Sequence, residues 1–236
     1  MIASVLSDFG DAFEFIFTSQ ESRAGGSEVG GTQLLGLLWD HLALSAVALA
    51  AGIAVAVPLG VWLGHTKRGS FLAVAVANIG RAVPSIALIA FFFAYLGAGF
   101  ENVALALALL AIPPILANAY VGVRQVDPDA VDAARGMGMT GPQIVRRVEL
   151  PLALPLVLGG IRTSAVNVVA TATIAPLAGV SSLGDPIIDF GSYGDAGRLG
   201  ASIVVAAVAV ATELTFGLVQ RLADPLPSRR RRTVPT

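Results

Sequence analysis

Long apolar runs, separated by short polar segments, dominate the pattern along the chain. A helix that crosses a bilayer needs about 20 mostly apolar residues to span about 30 Å of hydrocarbon. Because unpaired backbone groups are costly in lipid, each run of that length is predicted to be helical. We therefore expect an all-α, polytopic membrane protein with about five transmembrane helices, at approximately His41–Gly64, Phe71–Gly97, Val103–Val123, Leu152–Leu177 and Leu199–Leu222.

The N-terminal segment has a different pattern, in which apolar residues recur every three or four positions from Ile2 to Phe17. This spacing predicts an amphipathic helix on a membrane surface, and a poorly ordered leader is the alternative. The segment lacks the basic start of a signal peptide, so we expect it to be retained. Four glycines before Thr32 predict a flexible linker: Gly25, Gly26, Gly30 and Gly31. We thus divide the chain into an external segment and linker (1–33), a transmembrane domain (34–225) and a basic cytoplasmic tail (226–236).

Composition supports the membrane assignment and narrows the chemistry. The chain of 236 residues is 55% hydrophobic and 13% charged, whereas soluble domains are typically about 25% charged. It contains no cysteine and only two histidines, His41 and His65. We therefore expect no catalytic residue, metal site or cofactor in this chain. A net charge of −1 gives no reason to expect a nucleic-acid partner.

The distribution of charge predicts the orientation in the membrane. Basic residues follow the first, third and fifth apolar runs, and such residues are enriched in cytoplasmic segments. Acidic residues dominate the opposite segments, including Asp8, Glu28, Glu101 and Asp185. Five spans with the N-terminus outside place the basic segments in the cytoplasm: Lys67 and Arg68; Arg124, Arg135, Arg146 and Arg147; and Arg221 with 229–232.

One cytoplasmic segment, residues 124–151, is unusually polar for this chain. Asp127 can cap a helix whose first residue is Pro128, and this helix is predicted to end near Met137. Gly138, Gly141 and Pro142 then predict a turn, and "QIVRRVELP" begins a second helix that leads into the membrane. Ala133 and Ala134 would give the first helix a small-residue face that another protein could approach closely.

This segment resembles the "EAA" loop of ABC-importer permeases, written E-A-A-x3-G-x9-I-x-L-P. Aspartate replaces glutamate at the first position, and valine replaces isoleucine at Val148. The matching residues are Asp132, Ala133, Ala134, Gly138, Val148, Leu150 and Pro151.

The resemblance implies a type I ABC-importer permease fold and a set of partners. In that family the loop is a coupling helix that inserts into a groove on a separate cytoplasmic ATPase, which uses ATP and Mg²⁺. The chain has no G-x4-G-K-[ST] phosphate loop and is therefore expected to be a transport subunit rather than an enzyme. The further partners implied are a second permease subunit, the same or homologous, an external substrate-binding protein and the lipid bilayer of the bacterial plasma (inner) membrane.

Two further stretches narrow the substrate. The stretches "GRAVPSIALIAFFFAYLG" and "LPLVLGGIRTSAVNVVATATIAPLAG" look like those of permeases for glycine betaine, choline and carnitine, the osmoprotectant subfamily. An importer of another small solute, such as an amino acid, is the alternative within the class. From a different class, an ATP-independent channel or secondary transporter remains possible.

A few polar or unusual residues lie inside the apolar runs. Charges at membrane depth normally face a water path or pair between helices, so Arg81, Arg162 and Glu213 are candidates for the translocation path or for interhelical contacts. Pro84, next to Arg81, would break its helix. The aromatic run 91–93 with Tyr95 could contact a quaternary ammonium ion, but consecutive residues point in different directions, which favours lipid contact. His65 is expected to be an interfacial loop residue.

Overall fold

The structure is a computed structural model, and it describes residues 2–67 and 82–223 together with positions 71, 75 and 80. It is predominantly helical, with one small β-hairpin. It contains a π-helical segment (Val145–Glu149) and a 3₁₀ segment (Ala172–Ala178). The other elements are α1 (Ile2–Phe17), β1 (Ser19–Glu21), β2 (Glu28–Gly30), α2 (Gly31–His65), α3 (Ser85–Leu96), α4 (Phe100–Arg124), α5 (Pro128–Gly136), α6 (Gly141–Ile144), α7 (Leu150–Thr171), α8 (Asp185–Ile188) and α9 (Phe190–Leu222).

Among the described residues, four helical stretches are long and apolar enough to cross a membrane: α2, α4, the continuous stretch Gly141–Ala178, and α9. They contain the first, third, fourth and fifth predicted spans. The second predicted span lies partly outside the described residues. Its described part includes α3, a shorter apolar helix of 12 residues. Pro84 caps the start of α3, as its helix-breaking character predicts.

The membrane helices form one core in which α4 packs between α2 and α7. Glycines on α2 permit close approach to α4. A methyl carbon added at Gly60 would lie 2.7 Å from Ala119 Cβ and 2.8 Å from the carbonyl oxygen of Leu116. Gly64, one turn further, faces Val123 in the same way. Small residues four positions apart allow such contacts between membrane helices, whose association is driven by van der Waals packing rather than by the hydrophobic effect.

The N-terminal segment folds onto the membrane helices. The sequence predicts a flexible linker around residues 25–31, but the structure has an antiparallel hairpin in which β1 pairs with β2. Gly30 adopts a φ of 80°, and a side chain there would meet the backbone of α1. Gly30 and Gly31 are therefore explained by close packing, whereas Gly25 and Gly26 have positive φ in the turn between the two strands and open space around them. Phe15 of α1 is buried with residues of β2, α2, the α7–α9 connection and α9: Val29, Leu34, Leu37, Leu183 and Ala201.

The hairpin also contacts the start of α9. Helix α9 has a kink at Gly194, whose φ of 64° is non-helical. Arg23 of the hairpin fills the space at this glycine, and its backbone N–H donates to the Ser192 carbonyl at 3.1 Å. The guanidinium groups of Arg23 and Arg198 lie 5.7 and 4.9 Å from the centre of the Phe190 ring. The polar stretch before the last span is thus packed against the N-terminal segment.

Candidate functional site

The cytoplasmic loop is built around α5, whose start and end follow the sequence prediction. The Asp127 carboxylate accepts a hydrogen bond from the Asp129 backbone N–H at 2.9 Å, and Pro128 occupies the first turn. Gly138 ends the helix in a left-handed conformation with φ 81°, which glycine adopts without steric cost. The predicted helix from Pro128 to Met137 is therefore confirmed to within one residue.

The loop has a small core of its own. Val131, Ala134 and Ile144 are buried together, with Val126, Met139 and Val148 packed around them. The prediction that Ala133 and Ala134 form one exposed face is therefore wrong for Ala134, which is only 1% exposed. Neighbouring residues on a helix differ by about 100° in direction, so Ala133 faces outward while Ala134 holds α5 against α6.

The outward side of α5 is therefore a surface of small, polar and flexible groups. We define the exposed face of α5 as Asp132 and Ala133 of the helix together with Met137 and Gly138, which follow its last residue; all four are solvent-exposed. Met137 is 71% exposed, and methionine is an adaptable residue at protein contacts. Sequence reasoning missed Met137, although its position between two glycines distinguishes it. Asp132 also accepts a hydrogen bond from Arg135 at 3.0 Å across the helix surface.

The loop continues into α7 without a break in helical structure. The Thr140 backbone N–H donates to the Gln143 side chain at 2.8 Å and so starts α6. The π-helical segment follows directly, and π-helical turns occur frequently at functional sites. Leu150 packs against the main core, and Pro151 lies in the first turn of α7. The last two motif residues therefore join the loop to a membrane helix.

A contact that the sequence does not predict joins this region to the end of α2. His65 Nδ1 lies 2.7 Å from Glu149 Oε2, where it can donate a hydrogen bond to the carboxylate. His65 is therefore partnered across the fold and is not the loop residue that the sequence predicts. The two residues are 84 positions apart, and no local pattern relates them.

The charged pair inside the membrane helices joins α7 to α9. The guanidinium group of Arg162 donates hydrogen bonds to the Glu213 carboxylate and, at 3.4 Å, to the Gln220 side-chain oxygen. Gln220 in turn donates to the Pro155 carbonyl at 2.9 Å. The side chains of Arg162 and Glu213 are 35% and 43% exposed on this chain. Two of the predicted path residues therefore form an ion pair between α7 and α9, and both side chains of the pair are partly exposed.

The other two path candidates precede α3 in the sequence. Arg81 lies outside the described residues. Pro84 is exposed and caps α3, beside a cavity of about 260 Å³ lined by uncharged groups. Its polar lining comes from Ser85, Asn167 and Thr171, and its apolar lining includes Gly80, Leu110, Pro113 and Pro114.

The aromatic residues of α3 do not form an enclosing cage. The Phe91 and Tyr95 rings have centroids 4.6 Å apart, and both side chains are exposed, as is Phe93. Phe92 instead packs against the main core. This distribution around the helix agrees with contact with lipid or another subunit rather than with a closed cation site.

An acidic group on the predicted external side is held in an unusual environment. Burial raises the pKa of Asp185, and the nearby charges of Asp189 and Asp40 raise it further. The Ser182 backbone N–H, which donates to the Asp185 carboxylate at 2.7 Å, lowers this pKa in turn.

Within the described ranges, no group of three or more His, Cys, Asp or Glu residues could hold a metal ion.

Comparison with known sequences gives consistent matches over most of the chain. Residues 56–229 match the family described as "Binding-protein-dependent transport system inner membrane component". The choline transport system permease protein OpuBB of Bacillus subtilis (strain 168) is 35% identical over 204 residues, which cover 86% of this chain and 94% of that protein. The carnitine transport permease protein OpuCB of Listeria monocytogenes is 37% identical over 203 residues, with 86% and 93% covered.

Comparison with solved structures supports the fold. An inward-facing conformation of the MetNI methionine ABC transporter superimposes with a TM-score of 0.70 at 24% sequence identity. The superposition covers 80% of this chain and 95% of that one. At this identity the likeness concerns the fold alone, which is that of an ABC-importer permease.

Proposed function

The chain belongs to the family of binding-protein-dependent transport system inner membrane components, and we propose that it forms the translocation path of an osmoprotectant importer. It is a multi-pass membrane protein and a transport subunit. The relatives described above are named for choline and carnitine transport, and another is named for glycine betaine, carnitine and choline. The proposed substrates are therefore small quaternary ammonium solutes.

The observation that carries the coupling part of this proposal is the exposed face of α5. This face lies on a helix with its own small core, and α6 and the π-helical segment connect that helix to α7. Its small residues allow a partner surface to approach, and Met137 can adapt to an apolar groove. We place the ATPase contact on this face, with Ala134, Leu150 and Pro151 positioning it, so that ATP and Mg²⁺ act in the partner subunit.

The remaining partners follow from the same architecture. One chain supplies half of a pathway, so a second permease subunit completes it, and an external binding protein delivers the solute. Residues 1–33 form the external part, 34–225 the transmembrane part with its coupling loop at 124–151, and 226–236 the cytoplasmic tail, which lies outside the described residues. We assign Arg81, Pro84, Arg162 and Glu213 to the path and its immediate support.

The coupling assignment is tested by one substitution on the exposed face of α5. Ala133→Trp adds bulk at an exposed position and leaves the loop core untouched, so the chain should still insert and fold. We expect it to lower the amount of ATPase that copurifies with an affinity-tagged chain by about tenfold, because overpacking a close contact costs about 1–3 kcal/mol. Copurification is measured by quantitative mass spectrometry of the detergent-extracted complex.

A matched control makes the same change elsewhere. Ala24 is also exposed but lies in the hairpin, on the predicted external side, so Ala24→Trp should retain the ATPase. An Ala133→Trp chain that copurifies with normal amounts of ATPase would contradict the docking assignment. The substrate class is tested by measuring uptake of labelled choline, carnitine and glycine betaine in the presence of the external binding protein, with methionine as the comparison solute.

A further inference from the structure

The end of α2 and the start of α7 meet at a buried polar contact. Glu149 is only 5% exposed, and His65 Nδ1 contacts its Oε2 at 2.7 Å. A buried carboxylate needs a hydrogen-bonding partner of compatible charge, because desolvation without one is strongly unfavourable. The other nitrogen of His65, Nε2, lies toward Gly141, the first residue of α6, and would be 3.4 Å from a methyl carbon added there.

The backbone has an unusual conformation next to both residues of this contact. Glu149 is the last residue of the π-helical segment. An extra residue in a turn changes the direction of a side chain by about 100° relative to an α-helix, so the π-helical segment sets where Glu149 points. On the other side, α2 ends immediately after His65, and Lys67 adopts φ 55°, which is uncommon for a non-glycine residue.

The surroundings connect the pair to the coupling loop. Glu149 and Lys67 line a cavity of about 200 Å³ together with Arg124, Asp132 and Arg135. Asp132 and Arg135 belong to α5, and Asp132 is on its exposed face. A displacement of α5 therefore changes the charged surroundings of Glu149 directly. This effect is additional to any displacement of α7 through the covalent connection.

We propose that His65 and Glu149 are a positioning pair that transmits movement of the coupling loop directly to α2, in parallel with the covalent route through α7. Helix α2 packs along α4 by close glycine contacts, so the pair makes α2, α4 and α7 respond together. The inference rests on the proposed function, because it concerns how ATPase closure reaches the path.

The test uses the complete complex, purified through a tag on this chain and reconstituted in lipid nanodiscs. ATP hydrolysis is titrated with external binding protein saturated with choline, carnitine or glycine betaine, whichever the wild-type complex transports best. We expect His65→Leu to lower the maximal stimulation by about tenfold, the range of strong coupling effects. The binding-protein concentration for half-maximal stimulation should not change, because the external docking site is untouched.

Two variants separate positioning from general damage. His65→Asn keeps a nitrogen donor near the position of Nδ1 and should retain at least about half of the stimulation. Thr66→Val is the matched control and should behave as wild type, since among the described residues the Thr66 hydroxyl bonds only to the Trp62 and Leu63 carbonyls of α2. If the complex with His65→Leu does not assemble, His65→Asn is compared with His65→Gln, whose nitrogen lies at the position of Nε2. Equal stimulation of ATP hydrolysis in these two variants would overturn the proposal.

The outcomes distinguish the two levels of the account. A wild-type complex that responds to the loaded binding protein, with His65→Leu within about twofold of it, overturns the positioning pair alone. A His65→Asn variant as defective as His65→Leu does the same. A wild-type complex without any response to the binding protein contradicts the proposed function and, with it, the inference.

Discussion

At the scale of single residues, burial decides roles that the sequence leaves open. Ala133 and Ala134 are adjacent and chemically identical, yet one faces out and the other lies in the core of the loop. His65 has a buried carboxylate as its partner, and Arg162 is paired with Glu213. The motif residues could be recognised from their spacing. Which of their side chains are buried and which are exposed could not be predicted, because this depends on the residues that pack against the helix.

Asp185 provides a residue-scale prediction about pH. Because burial raises its pKa, the folded protein binds the Asp185 proton more tightly than the unfolded chain does. This stabilisation is complete below the usual aspartate pKa and is lost as the pH rises through the raised value. Asp185→Asn does not titrate and keeps an oxygen acceptor for the Ser182 N–H. We expect it to raise the melting temperature by on the order of 2–4 °C at pH 7.5, and by less at pH 4.

Thermal unfolding of the detergent-purified chain, followed at the two pH values, measures this difference. Asp189→Asn is a comparison on the same short connection, because hydrogen bonds from Ser192 lower the pKa of Asp189 and the sign should reverse. A gap between Asp185→Asn and wild type that narrows as the pH rises would contradict the assigned environment.

At the scale of elements, apolar length was a sufficient guide to four of the helices, since each must satisfy its backbone within lipid. Irregular elements were not predictable in the same way. The hairpin places Gly30 and Gly31 against α1 and residues 18–19, and the π-helical segment ends at Glu149, whose side chain contacts His65 of α2. Neither contact follows from the local apolar pattern. Glycine composition alone therefore suggested a flexible linker where the structure has a packed one.

The packing of α2 on α4 gives a prediction at this scale. Gly60→Ala would place a methyl group 2.8 Å from the Leu116 carbonyl oxygen, so the helices must separate. We expect a loss of about 1–3 kcal/mol in the free energy of unfolding, as overpacking usually causes. The matched control is Gly36→Ala on the same helix, where the described residues leave open space around the site.

The control should be neutral, or more stable by up to about 1 kcal/mol, because alanine has the higher helix propensity. Thermal unfolding of both variants in the same detergent compares them directly. Equal melting temperatures for Gly60→Ala and Gly36→Ala would show that the glycine contact between α2 and α4 contributes little to stability.

At the scale of the whole molecule, one chain leaves membrane-embedded surface uncovered. No residue in the most apolar stretch of α9 is fully buried by the described parts of the chain, and the Arg162–Glu213 pair is partly exposed. Charges at membrane depth normally face protein or water, which agrees with half of a pathway that a second permease subunit completes. The family was recognisable from the coupling loop, whereas the route from that loop to α2 required the folded chain.

The central claim is that this chain moves solute only when a separate ATPase and an external binding protein act on it. The most direct measurement is uptake of labelled choline, carnitine and glycine betaine into proteoliposomes that contain either the complete complex or this chain alone. We expect saturable uptake by the complete complex that requires both ATP and the binding protein, and none above empty liposomes for the chain alone. Saturable, ATP-independent flux of the same solute through the chain alone would contradict the account and identify a channel or secondary transporter.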